Sequence, residues 1–190
     1  RVEQSTAGEA VDGERLRRWW SVSRANEKRL NDLVEEIVEY SKPRPPVREP
    51  CQINKLVQEL AEQKEESLKQ SRIGLRLDLG ASIPVVKADP TRVYRALNNL
   101  VDNAADAVMP GKGKIEIRTR MQLDAVFLEV RDNGSGIETR HLPLLFDPLF
   151  STKKGSKGTG FGLANVKKIA EEHGGRIEVE SQPRHGSVFR

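Results

Sequence analysis

The sequence predicts an α+β fold in which a sheet packs against helices as a two-layer α/β sandwich. Three observations predict it: segments of alternating apolar and polar residues, amphipathic helical segments between them, and proline or glycine at the boundaries. The 190 residues are enough to bury a substantial core. With 36% hydrophobic and 32% charged residues, the composition suits a soluble helical or mixed protein.

Residues 14–41 are predicted to form one long helix. Apolar positions recur there at alternating steps of four and three residues, which is typical of a coiled coil or a helical bundle. A helix with such a stripe needs a partner. Residues 10–14 predict a turn to an earlier helix, of which residues 1–9 are the tail. The stripe consists of Trp19, Ser23, Asn26, Leu30, Leu33, Ile37 and Tyr40.

A proline-rich segment, KPRPPVREP at residues 42–50, predicts an extended linker and therefore a domain boundary. The sequence thus divides into a helical segment (1–41), this linker, and a mixed domain (51–190). Within that domain, Asp89 and Pro90 predict the N-cap and the first position of a helix. Helices are predicted at 53–70, from 90 to about 109 and at about 161–172, and strands at 73–79, 114–123, 125–132, 176–181 and 186–190.

Composition and motifs exclude several classes of function. The net charge of +4, from 32 basic and 28 acidic residues, does not indicate nucleic-acid binding. The single cysteine, Cys51, rules out an internal disulfide and fits a reducing compartment. No apolar run approaches the roughly 18 residues of a membrane span. The sequence has no G-x-x-x-x-G-K-[ST], no G-x-G-x-x-G after a strand, no H-E-x-x-H and no Cys/His cluster.

Two asparagines, Asn99 and Asn103, lie four residues apart in the helix predicted from residue 90. On a helical wheel they fall together with Arg92, Arg95 and Asp106, opposite the apolar stripe. Asparagine is a poor helix-interior residue, because its amide competes for nearby backbone groups. One explanation is a solvated helix face. The other is a magnesium site, since an amide oxygen can complete a coordination sphere of phosphate and water oxygens.

Two glycine-containing stretches follow later in the chain. In DNGSGI (132–137), the glycines permit close approach of the backbone to a flat ligand, and Asp132 can accept from an exocyclic amine. A tight turn is the alternative. In FDPLFSTKKGSKGTGFGL (146–163), lysines add positive charge and the stretch leads into a helix whose first amides can face a phosphate. A surface loop is the alternative there.

Five stretches of the chain resemble, in the same order, five motifs of sensor histidine kinases. They are the asparagine motif (NNLVDNAADA), the first glycine motif (DNGSGI), the phenylalanine motif (FDPLFSTK), the second glycine motif (GTGFGL) and the final glycine motif (GSVF). The resemblance covers about residues 51–190 and is nearest to the nitrogen-regulation type. LNDLVEEIVEYSKP (30–43) is similar to the second helix of the dimerisation hairpin of these kinases. The resemblance implies the Bergerat-type ATP-binding fold, a mixed, mostly antiparallel sheet on helices, preceded by a remnant of the hairpin.

The resemblance implies ATP and Mg²⁺ as cofactors and gives roles to individual residues. Asn103 would ligate Mg²⁺, with Asn99 beside it near the phosphates, and Asp132 would accept a hydrogen bond from the adenine amino group. Asn99, Asn103 and Lys153 would be the catalytic residues. The other nucleotide contacts that it implies are Gly134, Gly136, Ile137, Lys157, Gly158, Thr159, Gly160, Phe161, Gly162, Leu163 and Ser187.

Three positions depart from the family pattern: Asp106, Leu149 and Ser187, the last of which takes the place of a common threonine. Asp106 stands where many sensor kinases carry a lysine that contacts phosphate, so Lys153 or Lys157 is expected to supply that contact. Leu149 replaces a common phenylalanine near the start of the glycine-rich stretch. Asn99 stands where the related topoisomerase-type clamps carry a glutamate as general base, which argues against autonomous ATP hydrolysis.

The sequence contains no H-E-x-x-N-P motif, which carries the phosphate-accepting histidine in this family. Two explanations stay open: the histidine lies upstream in a longer protein, or the natural protein lacks it and is an ATP-binding scaffold. The first makes this chain the cytoplasmic, catalytic ATP-binding part of a histidine kinase, and the sequence leaves open whether the longer protein is anchored to a membrane. The longer protein would form a homodimer through the hairpin and pass phosphate to a response-regulator receiver domain. No contact with nucleic acid or membrane is expected of residues 1–190.

Overall fold

The computed structural model describes residues 13–41, 45–153 and 158–190. The predicted helix tail at 1–9 and the predicted phosphate ligand Lys157 lie outside these residues. A short 3₁₀-helix covers Thr139–Leu144. The other elements are α1 (Gly13–Ser41), β1 (Glu49–Cys51), α2 (Ile53–Gln70), β2 (Gly74–Leu79), β3 (Val86–Ala88), α3 (Pro90–Ala107), β4 (Lys114–Gln122), β5 (Ala125–Asp132), α4 (Gly162–Glu172), β6 (Val179–Gln182) and β7 (Gly186–Phe189).

The main sheet has five strands in the order β2-β4-β5-β7-β6. β2 and β4 are parallel, and every other neighbouring pair in this sheet is antiparallel. Helices α2 and α3 pack on one face of it and α4 packs on α3. The prediction of a mixed, mostly antiparallel sheet on a helical layer is confirmed.

The other face of the sheet is charged, which explains why the sandwich has two layers. Alternation along β4 sends Ile115 and Ile117 into the core and leaves Glu116 and Arg118 on the outer face. Arg118 pairs with Glu116 and, across the strands, with Asp78 and Glu129. A face that is satisfied by ion pairs offers little apolar area for a second helical layer to bury.

Helix α3 is the element that carries the predicted asparagines, and its apolar stripe is buried as expected. Leu97, Leu100, Val101 and Ala104 are buried, with Val101 fully inaccessible to solvent. The helix ends at Ala107, slightly before the predicted end, because Val108 turns into an extended conformation and is buried. The opposite side of α3 is therefore the side that is free to line a site.

The start of α3 is fixed by Asp89, as the sequence predicts. Its carboxylate accepts the Arg92 backbone N–H at 3.1 Å, and Pro90 takes the first turn. The second carboxylate oxygen accepts the Val47 N–H at 3.0 Å. Its own backbone N–H donates to Nε2 of His173, whose Nδ1 lies 2.8 Å from the Ile169 carbonyl. One capping residue thus joins the beginning of α3 to the end of α4 and to the preceding chain.

The predicted linker is partly attached to the mixed domain. Residues 49–51 form strand β1, which pairs with β3, and Arg48 donates to the Glu172 carbonyl at 2.8 Å. Both strands were missed because each has three residues, too few to show a period of two. Pro50 is compatible with this position, because proline is tolerated in edge strands.

Helix α1 forms as predicted, and most of its apolar stripe does not pack on the domain. Trp19, Leu30 and Ile37 are exposed, whereas Tyr40 at the end of the stripe packs against Phe161 with ring centroids 5.6 Å apart. Lys168 donates to the Tyr40 carbonyl at 2.6 Å. Ser23 is also exposed, and the side chains of the two remaining stripe positions, Asn26 and Leu33, lie outside the described residues. None of the described helices is long and apolar enough to cross a membrane.

Replacing the cap of α3 is expected to destabilise the domain. Asp89→Ala removes the acceptor for two backbone N–H groups, and we expect the free energy of unfolding to fall by about 2 kcal/mol. Asp89→Asn keeps one acceptor oxygen and is expected to lose less. Urea unfolding of the wild-type chain and both variants measures the difference, and equal stability of all three would contradict this role.

Candidate functional site

A cleft of about 260 Å³ lies between the polar side of α3 and the glycine-rich loop, residues 146–163. α3 places Asn99 and Asn103 one turn apart on that side, so both amides face the cleft. We call it the asparagine cleft. Its walls are formed by Asn99, Asp102, Asn103, Asp106, Leu145, Phe150, Ser151, Thr152, Lys153, Gly158, Thr159, Gly160, Gly162 and Leu163.

A lysine of the loop already contacts the predicted magnesium ligand. The ammonium nitrogen of Lys153 lies 2.9 Å from Oδ1 of Asn103 and 2.7 Å from Oδ2 of Asp106. The Asn103 amide oxygen therefore faces the cleft and accepts from a cation. This geometry fits the prediction that the same oxygen would ligate Mg²⁺.

The cleft would hold a metal ion only together with a ligand that brings oxygens of its own. Among residues 13–41, 45–153 and 158–190, no three His, Cys, Asp or Glu side chains come together as a metal site. The other carboxylate of the cleft, Asp102, accepts from Lys64 at 2.6 Å and from Asn98 at 2.9 Å. Mg²⁺ characteristically takes one or two protein oxygens and completes its octahedron with phosphate and water.

The N-terminus of α4 opens into the same cleft. Gly162 and Leu163 line it, and no side chain caps the helix at Phe161. Uncapped N–H groups and the positive end of the helix dipole attract phosphate. Asn99 reaches across from α3, with its amide nitrogen 3.4 Å from the Gly162 carbonyl. The cleft thus combines an oxygen ligand, a cation and a helix N-terminus.

The two described ends of the glycine-rich loop pack against each other. The Leu149 N–H donates to the Gly160 carbonyl at 3.0 Å, and Gly160 has a φ of +78°. A Cβ at Gly160 would lie 2.4 Å from the Leu149 carbonyl carbon. Leu149 itself has a φ of +67°, which is unusual for a leucine. Packing against the protein therefore accounts for the glycine at 160.

Gly162 has a different environment, although the sequence groups it with Gly160. A Cβ there would meet nothing closer than the side-chain carbon of Asn99, at 3.9 Å, which is ordinary contact. Packing within the protein therefore does not require glycine at this position. A ligand in the cleft that approaches the backbone of α4 would require it.

The second predicted contact region lies beyond the end of α3, beneath its last turn. Asp132 ends β5 and is buried, and its carboxylate accepts the Gly134 N–H at 2.7 Å. Burial raises the pKa of this carboxyl, and hydrogen bonds from the backbone of Gly134 and Ser187 offset part of that rise. A buried carboxylate with one engaged edge can receive an amine at the other, as the adenine interpretation requires.

The remaining predicted residues lie near Asp132 or outside the walls of the asparagine cleft. Gly134 packs under α3, because a Cβ there would lie 2.5 Å from the Ala107 carbonyl oxygen. The Ile137 N–H donates to the Ser181 hydroxyl at 2.9 Å, and that hydroxyl lies 3.0 Å from the Ser187 hydroxyl. The predicted residues that do not line the asparagine cleft are Asp132, Gly134, Gly136, Ile137, Phe161 and Ser187.

Several residues of the site were not found from the sequence. Ser181 joins Ile137 to Ser187, and its inward position follows only from the alternation along β6. Leu145 lines the asparagine cleft from outside the motifs, and Ser151 and Thr152 line it from within FDPLFSTK, where they had no predicted role. The ion pair between Asp106 and Lys153 spans 47 positions and has no sequence signal.

A second cleft, of about 440 Å³, lies on the charged face of the sheet. Exposed side chains such as Arg76, Lys114 and Arg131 form its walls, and Asp132 is the predicted site residue among them. It is larger than the asparagine cleft, but it contains neither Asn99 nor Asn103, and no helix N-terminus opens into it. The asparagine cleft is therefore the candidate site.

Comparison with known proteins identifies the family of this chain. The family model described as histidine kinase-, DNA gyrase B- and HSP90-like ATPase matches residues 88–190. Sensor histidine kinase ZraS of Escherichia coli is 35% identical over 161 residues, which cover 85% of this chain and 34% of ZraS. The histidine-protein kinase AtoS of the same organism is 32% identical over 161 residues, 84% of this chain and 26% of AtoS. The chain therefore spans about a third or less of these relatives.

Solved structures of histidine kinases have the same fold. The catalytic domain of histidine kinase ThkA is 33% identical, with a TM-score of 0.68, over 75% of this chain and 91% of that domain. A structure of ThkA in complex with the response regulator protein TrrA matches 94% of this chain and 51% of the ThkA chain, at 31% identity and a TM-score of 0.78. The second match extends over nearly all of this chain.

Substituting the two glycines separates packing from ligand contact. Gly162→Ala is expected to keep or raise the free energy of unfolding by up to about 1 kcal/mol, because alanine is the better helix former. The added methyl group enters the cleft, so the affinity for ATP is expected to fall about tenfold, or roughly 1.4 kcal/mol.

Gly160→Ala is the matched variant and is expected to destabilise the fold itself, because of its positive φ and its contact with Leu149. Urea unfolding and calorimetric ATP binding on both variants test the distinction. Unchanged ATP affinity in a folded Gly162→Ala variant would show that the methyl group meets no ligand.

The raised pKa of Asp132 predicts how stability depends on pH. The folded protein binds this proton more tightly than the unfolded chain does, so the carboxyl stabilises the fold in acid and loses that effect as pH rises through the raised pKa. Asp132→Asn removes the titration. From about pH 4 to about pH 7, the free energy of unfolding of the wild type is expected to fall relative to that of the variant.

The same comparison with Asp124→Asn, in the exposed turn between β4 and β5, supplies the control. No such trend is expected there. A difference between wild type and Asp132→Asn that is flat or rises with pH would show that burial does not dominate at Asp132.

Proposed function

Because the chain belongs to the histidine kinase-, DNA gyrase B- and HSP90-like ATPase family, we propose that it transfers the γ-phosphoryl group of ATP to a histidine outside residues 1–190. The phosphate would then pass to an aspartate of a response-regulator receiver domain. The observation that carries this proposal is the asparagine cleft, where the Asn103 oxygen, the Lys153 ammonium and the N-terminus of α4 converge.

The adenine end of the nucleotide would lie against Asp132. Its carboxylate would accept a hydrogen bond from the exocyclic amino group, which selects adenine over guanine because guanine presents a carbonyl at that position. Ile137, half-buried and packed on the core, would contribute an apolar contact to the ring. Ser187 and Ser181 hold the strands beneath, through hydroxyls 3.0 Å apart.

The phosphates would extend from there along α3 into the asparagine cleft. Phosphoryl transfer passes through a loose transition state, so catalysis is mostly positioning and charge neutralisation. Magnesium, held by Asn103 and assisted by Asn99, would neutralise phosphate oxygens. Lys153 would add a positive charge, and the first N–H groups of α4 would donate to phosphate.

The histidines of this chain support an acceptor from elsewhere. His173 uses both ring nitrogens, one toward the Asp89 N–H and one toward the Ile169 carbonyl. His141 packs its ring against Phe150 at 5.7 Å, and His185 is exposed with Nδ1 3.0 Å from the Pro183 carbonyl. None of the three lies on α1. The exposed apolar stripe of α1 would pair with further hairpin helices, which gives a homodimer of the longer protein.

The same cleft does not favour hydrolysis of ATP by water. Asn99 carries an amide, which cannot remove a proton from a water molecule. The carboxylates of Asp102 and Asp106 already accept from Lys64 and Lys153. A domain of this kind would keep the γ-phosphoryl group for the imidazole acceptor.

Asn103→Ala in the longer protein is expected to lower ATP-dependent autophosphorylation by roughly 10²-fold or more, because it removes the oxygen that would hold the metal. Incorporation of radiolabelled phosphate measures this. Urea unfolding of residues 1–190 carrying the same substitution checks that the variant folds.

Asn98→Ala is the matched control, because Asn98 precedes the pair on the same helix and donates to Asp102 instead. It is expected to retain autophosphorylation. Activity that survives in Asn103→Ala, or is lost equally in both variants, would contradict the role given to Asn103.

A further inference from the structure

We propose that Lys153 is the resident cation of the magnesium site in the nucleotide-free protein, that Asp106 positions it there, and that Lys153 and Mg²⁺ compete for Oδ1 of Asn103. This inference rests on the proposed function of the asparagine cleft. The inference adds a step to that function, because the metal can bind only when Lys153 moves away from Asn103.

Lys153 makes hydrogen bonds through both its side chain and its backbone. Its ammonium contacts Asn103 at 2.9 Å and Asp106 at 2.7 Å, and its backbone N–H lies 3.2 Å from the Ser151 hydroxyl. The side chain is 30% exposed, whereas that of Asp106 is 43% exposed. A lysine that is more covered than its partner and contacts two oxygens of one helix face is held in place.

Asp106 is the acidic group available to this lysine in the cleft. The other carboxylate there, Asp102, is occupied by Lys64 at 2.6 Å. The two acidic side chains of α3 are paired with different elements, Asp102 with Lys64 of α2 and Asp106 with Lys153 of the loop. Asp106 therefore acts through Lys153, as a positioning residue.

An ammonium group and Mg²⁺ cannot share the Asn103 oxygen. Mg²⁺ binds oxygen at about 2.1 Å and demands near-octahedral geometry, so the Lys153 nitrogen would lie within about 5 Å of a divalent cation. Repulsion at that distance is strong in a partly buried cleft. The metal must displace the ammonium from Asn103, and phosphate oxygens are the new partners that a nucleotide would offer.

Competition of this kind couples the metal to the loop. Whatever free energy Lys153 gains at Asn103 is lost when Mg²⁺ binds, and the metal in turn weakens the contact of Lys153 by the same amount. Without nucleotide, Lys153 contacts Asn103 on α3. This contact is lost when the metal binds. Position 106 sets how strongly this contact opposes the metal.

The test is a Mg²⁺ titration of the chain in the presence of a fixed concentration of a fluorescent ATP analogue. Because Lys153→Met also removes the proposed contact with phosphate, each variant is titrated at an analogue concentration that gives the same saturation at excess Mg²⁺. Under that condition, Lys153→Met is expected to lower the Mg²⁺ concentration at half-maximal nucleotide binding about fivefold or more, the low end for coupled ligands. Lys64→Met is the matched control, since it removes the same charge from Asp102 on the same helix without touching Asn103. Its midpoint is expected to shift less than about twofold.

Asp106→Asn completes a double-mutant cycle. In that background Lys153 is held less firmly, so Lys153→Met is expected to shift the midpoint less than it does in the wild type. A second readout needs no nucleotide: acetylation of the Lys153 amine, followed by mass spectrometry, is expected to be faster in Asp106→Asn than in the wild type.

The outcomes distinguish this inference from the function on which it rests. If the nucleotide binds but Lys153→Met leaves the midpoint unchanged or raises it, the competition is refuted and the proposed function stands. Equal shifts in Lys153→Met and Lys64→Met would reveal a general charge effect and would also refute it. If the wild-type chain binds no nucleotide at any Mg²⁺ concentration, both the proposed function and the inference fail.

Discussion

The two-sided packing of α3 is the constraint on which the rest of the structure depends. Its buried stripe, centred on Val101, can face only the sheet, so the opposite stripe must face the glycine-rich loop. The Asp89 cap fixes where the helix begins, and Gly134 fits beneath Ala107 where it ends. One helix therefore sets the distance between Asp132 and the asparagine cleft, which a nucleotide must span from base to phosphate.

The glycine-rich loop shows how one motif serves two physical requirements. Gly160 is needed by the protein itself, because its positive φ and close contact allow the loop to return beside Leu149. Gly162, two residues later, has no such neighbour and opens into the cleft beside Asn99. Packing explains the glycine at 160, whereas the glycine at 162 would be explained by a ligand in the cleft, and a sequence pattern cannot separate the two reasons.

Local patterns predicted most of the fold, because the spacing of apolar residues in each helix indicates which face is buried. The helix at Ile53–Gln70 and the cap at Asp89 follow from periodicity and residue chemistry within a few positions. Strand β1 could not be predicted in this way, since its three residues pair through the backbone with β3 some distance along the chain. The same holds for Ser181, whose hydroxyl matters only because β6, β7 and the segment at Ile137 meet there. The glycine and asparagine motifs predicted the composition of the candidate site but not its internal contacts.

The ion pairs of the asparagine cleft explain why those contacts matter. Among the described residues, each of the two carboxylates on α3 is paired with a lysine, so neither presents an unpaired negative charge to a phosphate. A cleft with unpaired carboxylates would repel phosphate, and one with unpaired lysines would have nothing to hold them near Asn103. Asp106 pairs with Lys153 of the loop, and Asp102 pairs with Lys64 of α2. Only the first pair also contacts Oδ1 of Asn103, the oxygen that would bind the metal, so a change of partner there would affect the metal site.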